Sequence, residues 1–168
     1  MIVETKINKN KLSLRKGIQI FLVIALFPFF VFSGEVYAGD LPSGITDRIG
    51  SADISVNDND MSVITNDAKW WGDATSFDIG VNNTLSSMGP DSSAVMLYNV
   101  TGPSGSDISG AWNSNCNQFL LNPNGILFSS TAQVNVGGLV ASTLAMNQDD
   151  FLAGSYVLSS DGQSLRSI

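Results

Sequence analysis

Residues 117–143, NQFLLNPNGILFSSTAQVNVGGLVAST, constrain the fold more than any other stretch: three apolar, β-favouring runs are separated by two tight-turn signals. Residues 118–121 and 126–128 are apolar on both alternating faces, the pattern of a strand covered on both sides. Between them stand Asn122, Pro123, Asn124 and Gly125. Pro123 has its φ fixed where position i+1 of a type I or II turn needs it, Asn124 tolerates i+2, and Gly125 suits i+3. A two-residue hairpin needs positive φ at its first central residue, which proline cannot supply. The alternative, Asn124-Gly125 as the central pair of a hairpin, would leave Pro123 without the N–H that closes the first ladder pair. The reading is therefore a corner in preference to a reversal.

The next run alternates Val134 and Val136 with Gln133 and Asn135, ends in Gly137-Gly138, and is followed by a further strand from Leu139. Strand, corner, strand, corner is the grammar of a chain wound into a parallel coil. Further candidates fall at residues 77–79, 95–98 and 156–158, giving a period of about one coil per 20 residues. Residues 52–56 and 61–65 form short alternating segments on either side of an acidic turn, Asn57 to Asp60, read as a plain polar turn and not a calcium loop. At about 4.8 Å per coil, residues 39–168 predict roughly six coils and a height near 30 Å. Residues 139–147 are the one place where a short helix is tempting. Trp70 and Trp71, adjacent on a strand, must point to opposite faces, and at least one is expected to be buried.

Residues 1–17 carry Lys6, Lys9, Lys11, Arg15 and Lys16 against a single Glu4, and residues 18–32 are uncharged and apolar. With Val36 and Ala38 at the −3 and −1 positions, this predicts a secretory signal cleaved after Ala38. A run of fifteen residues interrupted by Pro28 is short for a membrane span, so no stable anchor is expected. Residues 39–51 read as a linker or the start of a cap. The part after the cut keeps three basic residues (Arg48, Lys69, Arg166) against thirteen acidic ones, a formal charge of −10. Such a balance argues against nucleic acid or anionic membrane as partners.

Chemistry is limited by what the chain contains. There is no His, which removes Ser-His-Asp triads and imidazole acid–base work. Cys116 is the single cysteine, so no disulfide within the chain and no structural zinc site can form; it reads as a small packing residue, a reactive thiol being the minority alternative. Asp53, Asp73, Asp78, Asp91, Asp107 and Asp149 all stand beside turn residues, where carboxylates serve backbone hydrogen bonds. The expectation is a protein without catalytic residues, cofactor or metal.

Five pieces in order, SFDIG (76–80), DSSAVMLYNVTG (91–102), DISGAW (107–112), NQFLLNPNGILF (117–128) and AQVNVGGLVASTL (132–144), followed by DDFLAG (149–154), resemble the amino-terminal secretion domain of the filamentous haemagglutinin family. The resemblance covers about residues 52–154, which it marks as a two-partner secretion (TPS) type domain, with residues 155–168 a truncated last coil or tail. It implies an all-β, right-handed parallel β-helix, a single-stranded solenoid with an N-terminal cap. It also implies export by the Sec machinery and recognition by an Omp85-type outer-membrane transporter through its periplasmic repeats. Folding would follow outside, at the cell surface or in the medium of a Gram-negative bacterium. The family's turn carries over to Asn122, Pro123, Asn124, Gly125 and Ile126, as a transporter-recognition element, a folding nucleus, or a turn and nothing more. Relatives in that family continue well beyond the point where this chain stops, so an adhesive passenger with any host-surface or glycan target is expected to be missing. Two other readings stay open here: a freestanding adhesin or glycan-binding module using Trp70, Trp71 and Trp112 on its surface, and a truncated remnant of a longer adhesin.

Overall fold

The structure, a computed structural model, describes residues 41–160 and Gly162; the expected signal segment at 1–38 and most of the tail after Ser160 lie outside the described residues. Four parallel strands stack into one wall: β4 (Lys69–Ala74), β6 (Val95–Val100), β9 (Asn117–Leu121) and β12 (Gly138–Ser142). A second wall stacks β3 (Asp60–Thr65), β5 (Thr84–Met88), β8 (Ala111–Ser114) and β11 (Gln133–Asn135), again in parallel. A shorter third wall pairs β7 (Ser106–Ile108) with β10 (Ile126–Phe128). The chain visits one wall after another and returns one layer higher, which makes it a single-stranded β-solenoid of about four turns.

Register gives the length of each turn. In the first wall Lys69 lies against Val95, Val95 against Asn117 and Asn117 against Gly138, steps of 26, 22 and 21 residues. The expected six coils become about four because turns are longer than 20 residues and because both ends of the described chain leave the stack. At the start, β1 (Thr46–Ile49) pairs antiparallel with β4, and β2 (Ala52–Asn57) pairs antiparallel with β3 around a turn in which Asp58 adopts φ 51°. At the other end, β13 (Ala145–Met146) and β14 (Leu158–Ser159) form a small antiparallel pair enclosing the helix α1 (Gln148–Ala153).

Several local expectations change. Residues 77–79 are not a strand; Ile79 makes only an isolated parallel bridge with Ile108 at a corner. Residues 139–142 finish β12, 145–146 form β13 after a bend, and the helix begins only at Gln148, where Asn147 caps it by accepting a hydrogen bond from the Asp149 N–H at 2.8 Å. Asp149 and Asp150 in its first turn and Gly154, at φ 75°, beyond its last complete the ordinary start and stop signals. The Tyr156 to Leu158 candidate belongs to this excursion and not to a further coil.

The adjacent indoles separate as the strand period requires, and both are buried. Trp70 points into the solenoid, where it packs edge-on against Tyr98 at 5.1 Å, and Tyr98 and Trp112 both pack on Phe77. Their polar atoms are served inside: the Ser87 hydroxyl bonds the Tyr98 hydroxyl at 2.7 Å and accepts from the Trp112 indole at 3.3 Å, while the Trp70 indole donates to Asp47. Trp71 points outward into a second cluster with Val95, Leu97, Phe119 and Leu121, closed by Phe151 of α1. Full burial of one such phenylalanine contributes about 1.5–3 kcal/mol. This is why β6 and β9 read as apolar on both faces: the first wall is covered inside by the core and outside by the returning chain.

The final layer is open. Among the described residues β10, β11 and β12 each have one strand neighbour. Phe128, Val134 and Leu139 stand in register over buried Ile108, Trp112 and Gln118, yet are themselves 37–38% exposed.

Candidate functional site

The corner expected from sequence joins β9 to β10, two strands in different walls, so the chain changes direction here without reversing. The Gly125 N–H donates to the Asn122 carbonyl at 3.1 Å, closing a four-residue turn. Asn124 has no positive φ, which makes the turn type I and not type II, and Gly125 follows at φ 106°. The Asn122 side-chain oxygen accepts from the Asn124 N–H at 2.9 Å and so braces the turn from within.

Asn122 is fully buried and does more than shape its own turn. Its side-chain N–H groups donate to the Ser104 carbonyl at 3.1 Å and the Ser106 hydroxyl at 2.9 Å, both in the layer below. Its backbone N–H donates to the Ser142 carbonyl at 3.0 Å, in the layer above. One asparagine thus ties three successive coils at a single corner. A buried amide satisfied on every side is worth keeping because losing any partner leaves a desolvated donor or acceptor.

The other four residues play distinct parts. Pro123 and Asn124 are exposed, Gly125 and Ile126 half-buried. The Asn124 side chain reaches down to the Gly102 carbonyl at 2.9 Å, and the Gly125 carbonyl accepts from the Ser106 N–H at 3.0 Å. Ile126 packs on the main core. Pro123 borders a crevice of about 110 Å³ shared with Asn99, Leu121, Leu144 and Ser160. No charged side chain lies among the five, so recognition of this corner would rest on shape and hydrogen bonds.

The partners of Asn122, namely Ser104, Ser106 and Ser142, did not stand out in the sequence. The signal was present: Gly102-Pro103-Ser104-Gly105 lies twenty residues before Asn122-Pro123-Asn124-Gly125, and Ser106 pairs with Ile126 in the third wall. The same device recurs at other corners. Asn115 both accepts from the Gly89 N–H and donates to the Gly89 carbonyl one layer down, at 2.9 and 2.8 Å. Thr131 donates to the Ser109 carbonyl at 2.8 Å.

The aromatic surface suggested for a freestanding adhesin does not exist. Trp70, Trp71 and Trp112 are 0%, 3% and 0% exposed and serve the two cores. Cys116 is likewise buried, its N–H accepted by the Ser114 hydroxyl. Among the described residues no group of three or more His, Cys, Asp or Glu side chains is placed to hold a metal ion.

Fold and corner together define a β-solenoid domain whose distinctive residues hold coil to coil. A family model for the TPS secretion domain matches residues 39–166. Two heme/hemopexin-binding proteins of Haemophilus influenzae are similar in sequence. One, from strain Rd, is 36% identical over 123 residues, covering 72% of this chain and 14% of the relative. The other is 31% identical over 137 residues, 80% of this chain and 15% of the relative. The chain thus spans about one seventh of the length of these relatives. The crystal structure of the HMW1 secretion domain from Haemophilus influenzae shares the fold, with a TM-score of 0.68 at 24% identity over 76% of this chain and 33% of that one.

The chain belongs to the TPS secretion domains, the part of a two-partner secretion exoprotein that directs its export. Exoproteins of this kind reach the cell surface or the medium of Gram-negative bacteria, and a TPS domain implies a TpsB transporter as its partner.

Proposed function

We propose that this domain is recognised in the periplasm by the soluble repeats of an Omp85-type transporter, after Sec export and removal of residues 1–38. It then crosses the outer membrane unfolded and winds into the solenoid outside. Strands of the unfolded chain can add to an exposed sheet edge of the periplasmic repeats, with main-chain hydrogen bonds for grip and alternate side chains for selectivity. The coil stack formed beyond the membrane is too bulky to slide back, which gives the passage a direction.

The observation that carries this reading is the position of Asn122, bonded at once to its own turn, to the layer below and to the layer above. A residue that unites three layers is suited to nucleate winding, and the corner Asn122, Pro123, Asn124, Gly125 and Ile126 is assigned that role. Its exposed crown, Pro123 and Asn124, is the part available to a transporter before or during winding.

Expression with and without a candidate TpsB transporter, followed by assay of the medium, tests the whole reading. Equal appearance of the chain in both cultures overturns it. Asn122→Ala and Pro123→Ala divide the two roles of the corner. Export that falls in step with the stability of the purified domain supports the nucleus, whereas export lost in Pro123→Ala at unchanged stability supports contact with the transporter.

A further inference from the structure

Beyond Ser142 the chain leaves the coil stack, crosses the outside of the first wall and comes back. This excursion is held by side chains. Its own backbone ladder is the two-residue pairing of β13 with β14, and its helix is six residues long. Contact with the wall comes from Phe151, which stands edge-on to Trp71 with ring centres 5.4 Å apart, and from Tyr156, which covers Phe119 at 5.2 Å.

Lys69, on the first strand of that wall, closes the arrangement. Its ammonium donates to the Leu152 carbonyl at 2.6 Å and the Phe151 carbonyl at 3.2 Å, 83 and 82 residues along the chain, and lies 5.9 Å from the Tyr156 ring centre. The last carbonyls of a helix are the end that a cation stabilises. Tyr156 is also held at φ 44°, a left-handed conformation that a bulky residue adopts only when its surroundings impose it.

A segment fastened by a few side chains, under backbone strain and outside the continuous ladders, has the attributes of a unit that opens without global unfolding. We propose that residues 147–159 form a latch that opens and closes over the first wall while the coil stack stays folded, with Lys69 as its keeper. Closure needs Lys69 and a helix some eighty residues later to be present together, so the latch shuts last and marks the domain as complete. Opening uncovers Trp71, Val95, Leu97, Phe119 and Leu121, a continuous apolar strip on the outside of the wall.

Amide hydrogen exchange on the full chain tests this, residue by residue. The N–H groups of Phe151, Gly154 and Ser155, bonded within the latch, are expected to exchange at least about 10-fold faster than those of Met96 and Leu120 in the wall, and through an opening whose denaturant dependence is measurable but smaller than that of the wall amides, since it exposes the apolar strip and not the core. Lys69→Met keeps the apolar stem and removes both hydrogen bonds; it is expected to speed the latch amides by a further factor of about 10 and to leave Met96 and Leu120 unchanged. The wild-type comparison stands without the variant should Lys69→Met fold poorly. Latch and wall amides that exchange at one common rate, or a Lys69→Met chain in which both speed up together or neither does, would overturn the proposal.

Discussion

Asn122 and Ser106, sixteen residues apart and both buried, meet where the Asn122 side-chain N–H donates to the Ser106 hydroxyl at 2.9 Å, joining the corner of one coil to the start of β7 in the coil below. Asn122→Ala removes that bond together with those to Ser104 and Asn124 and leaves a cavity of amide size. A loss of about 2–4 kcal/mol is expected in urea unfolding, against at most about 1 kcal/mol for Asn124→Ala, whose side chain is exposed. Equal losses would mean that burial at this corner carries no weight.

Gly125 separates conformation from space. A Cβ there would meet nothing within 4 Å, yet φ is 106°, so Gly125→Ala is expected to cost about 1–2 kcal/mol through the backbone alone. At Gly102 the reverse applies: a Cβ would overlap the Thr75 carbonyl, and Gly102→Ala is expected to cost more than about 3 kcal/mol. The ratio of the two losses, from matched urea melts, checks the distinction.

Tyr98 predicts an alkaline limit. Burial pushes its phenol well above the ordinary 10.0, outweighing the Ser87 hydrogen bond that lowers it. The unfolded chain then releases a proton near pH 10 that the folded chain retains, so stability is complete below that pH and declines as pH rises past it. Tyr98→Phe, at a cost of about 1 kcal/mol near neutrality, is expected to flatten the decline; an unchanged slope between pH 9 and 11 would assign it to other groups.

Arg48 joins β1 to β4 through Asp73, whose carboxylate also accepts from Asn99 at 2.8 Å and from the Trp71 indole at 3.3 Å. The arginine lies over the Trp71 ring at 5.3 Å and is 40% exposed on its side chain. Arg48→Ala is therefore expected to cost only about 0.5–1 kcal/mol, and Asp73→Ala more, since it strips three donors of their acceptor. Thermal melts of the two variants give the order.

Much of this was legible in the sequence. Pro123 at the first central position excluded the common hairpin turns, and the corner follows from that alone. The run at residues 118–121 announced a strand covered on both faces, whereas the Trp70–Trp71 pair required burial of at least one indole and both prove buried. The period was less legible, because the candidate at Val134 lies in the second wall and that at Val95 in the first, so spacing counted between them mixes positions on different sides of the coil. The latch was missed although Asn147, Asp149, Asp150 and Gly154 spell an ordinary helix start and stop. What no local pattern could reveal was its seat, since Lys69 and Leu152 stand 83 residues apart.

The layer made by β10, β11 and β12 keeps the register of those beneath it, although β11 has three residues where β3, β5 and β8 have six, five and four. Phe128, Val134 and Leu139 offer the next strand the same seats that Ile108, Trp112 and Gln118 already fill. A strand laid against this face would meet spacing and side chains already set by the layer beneath.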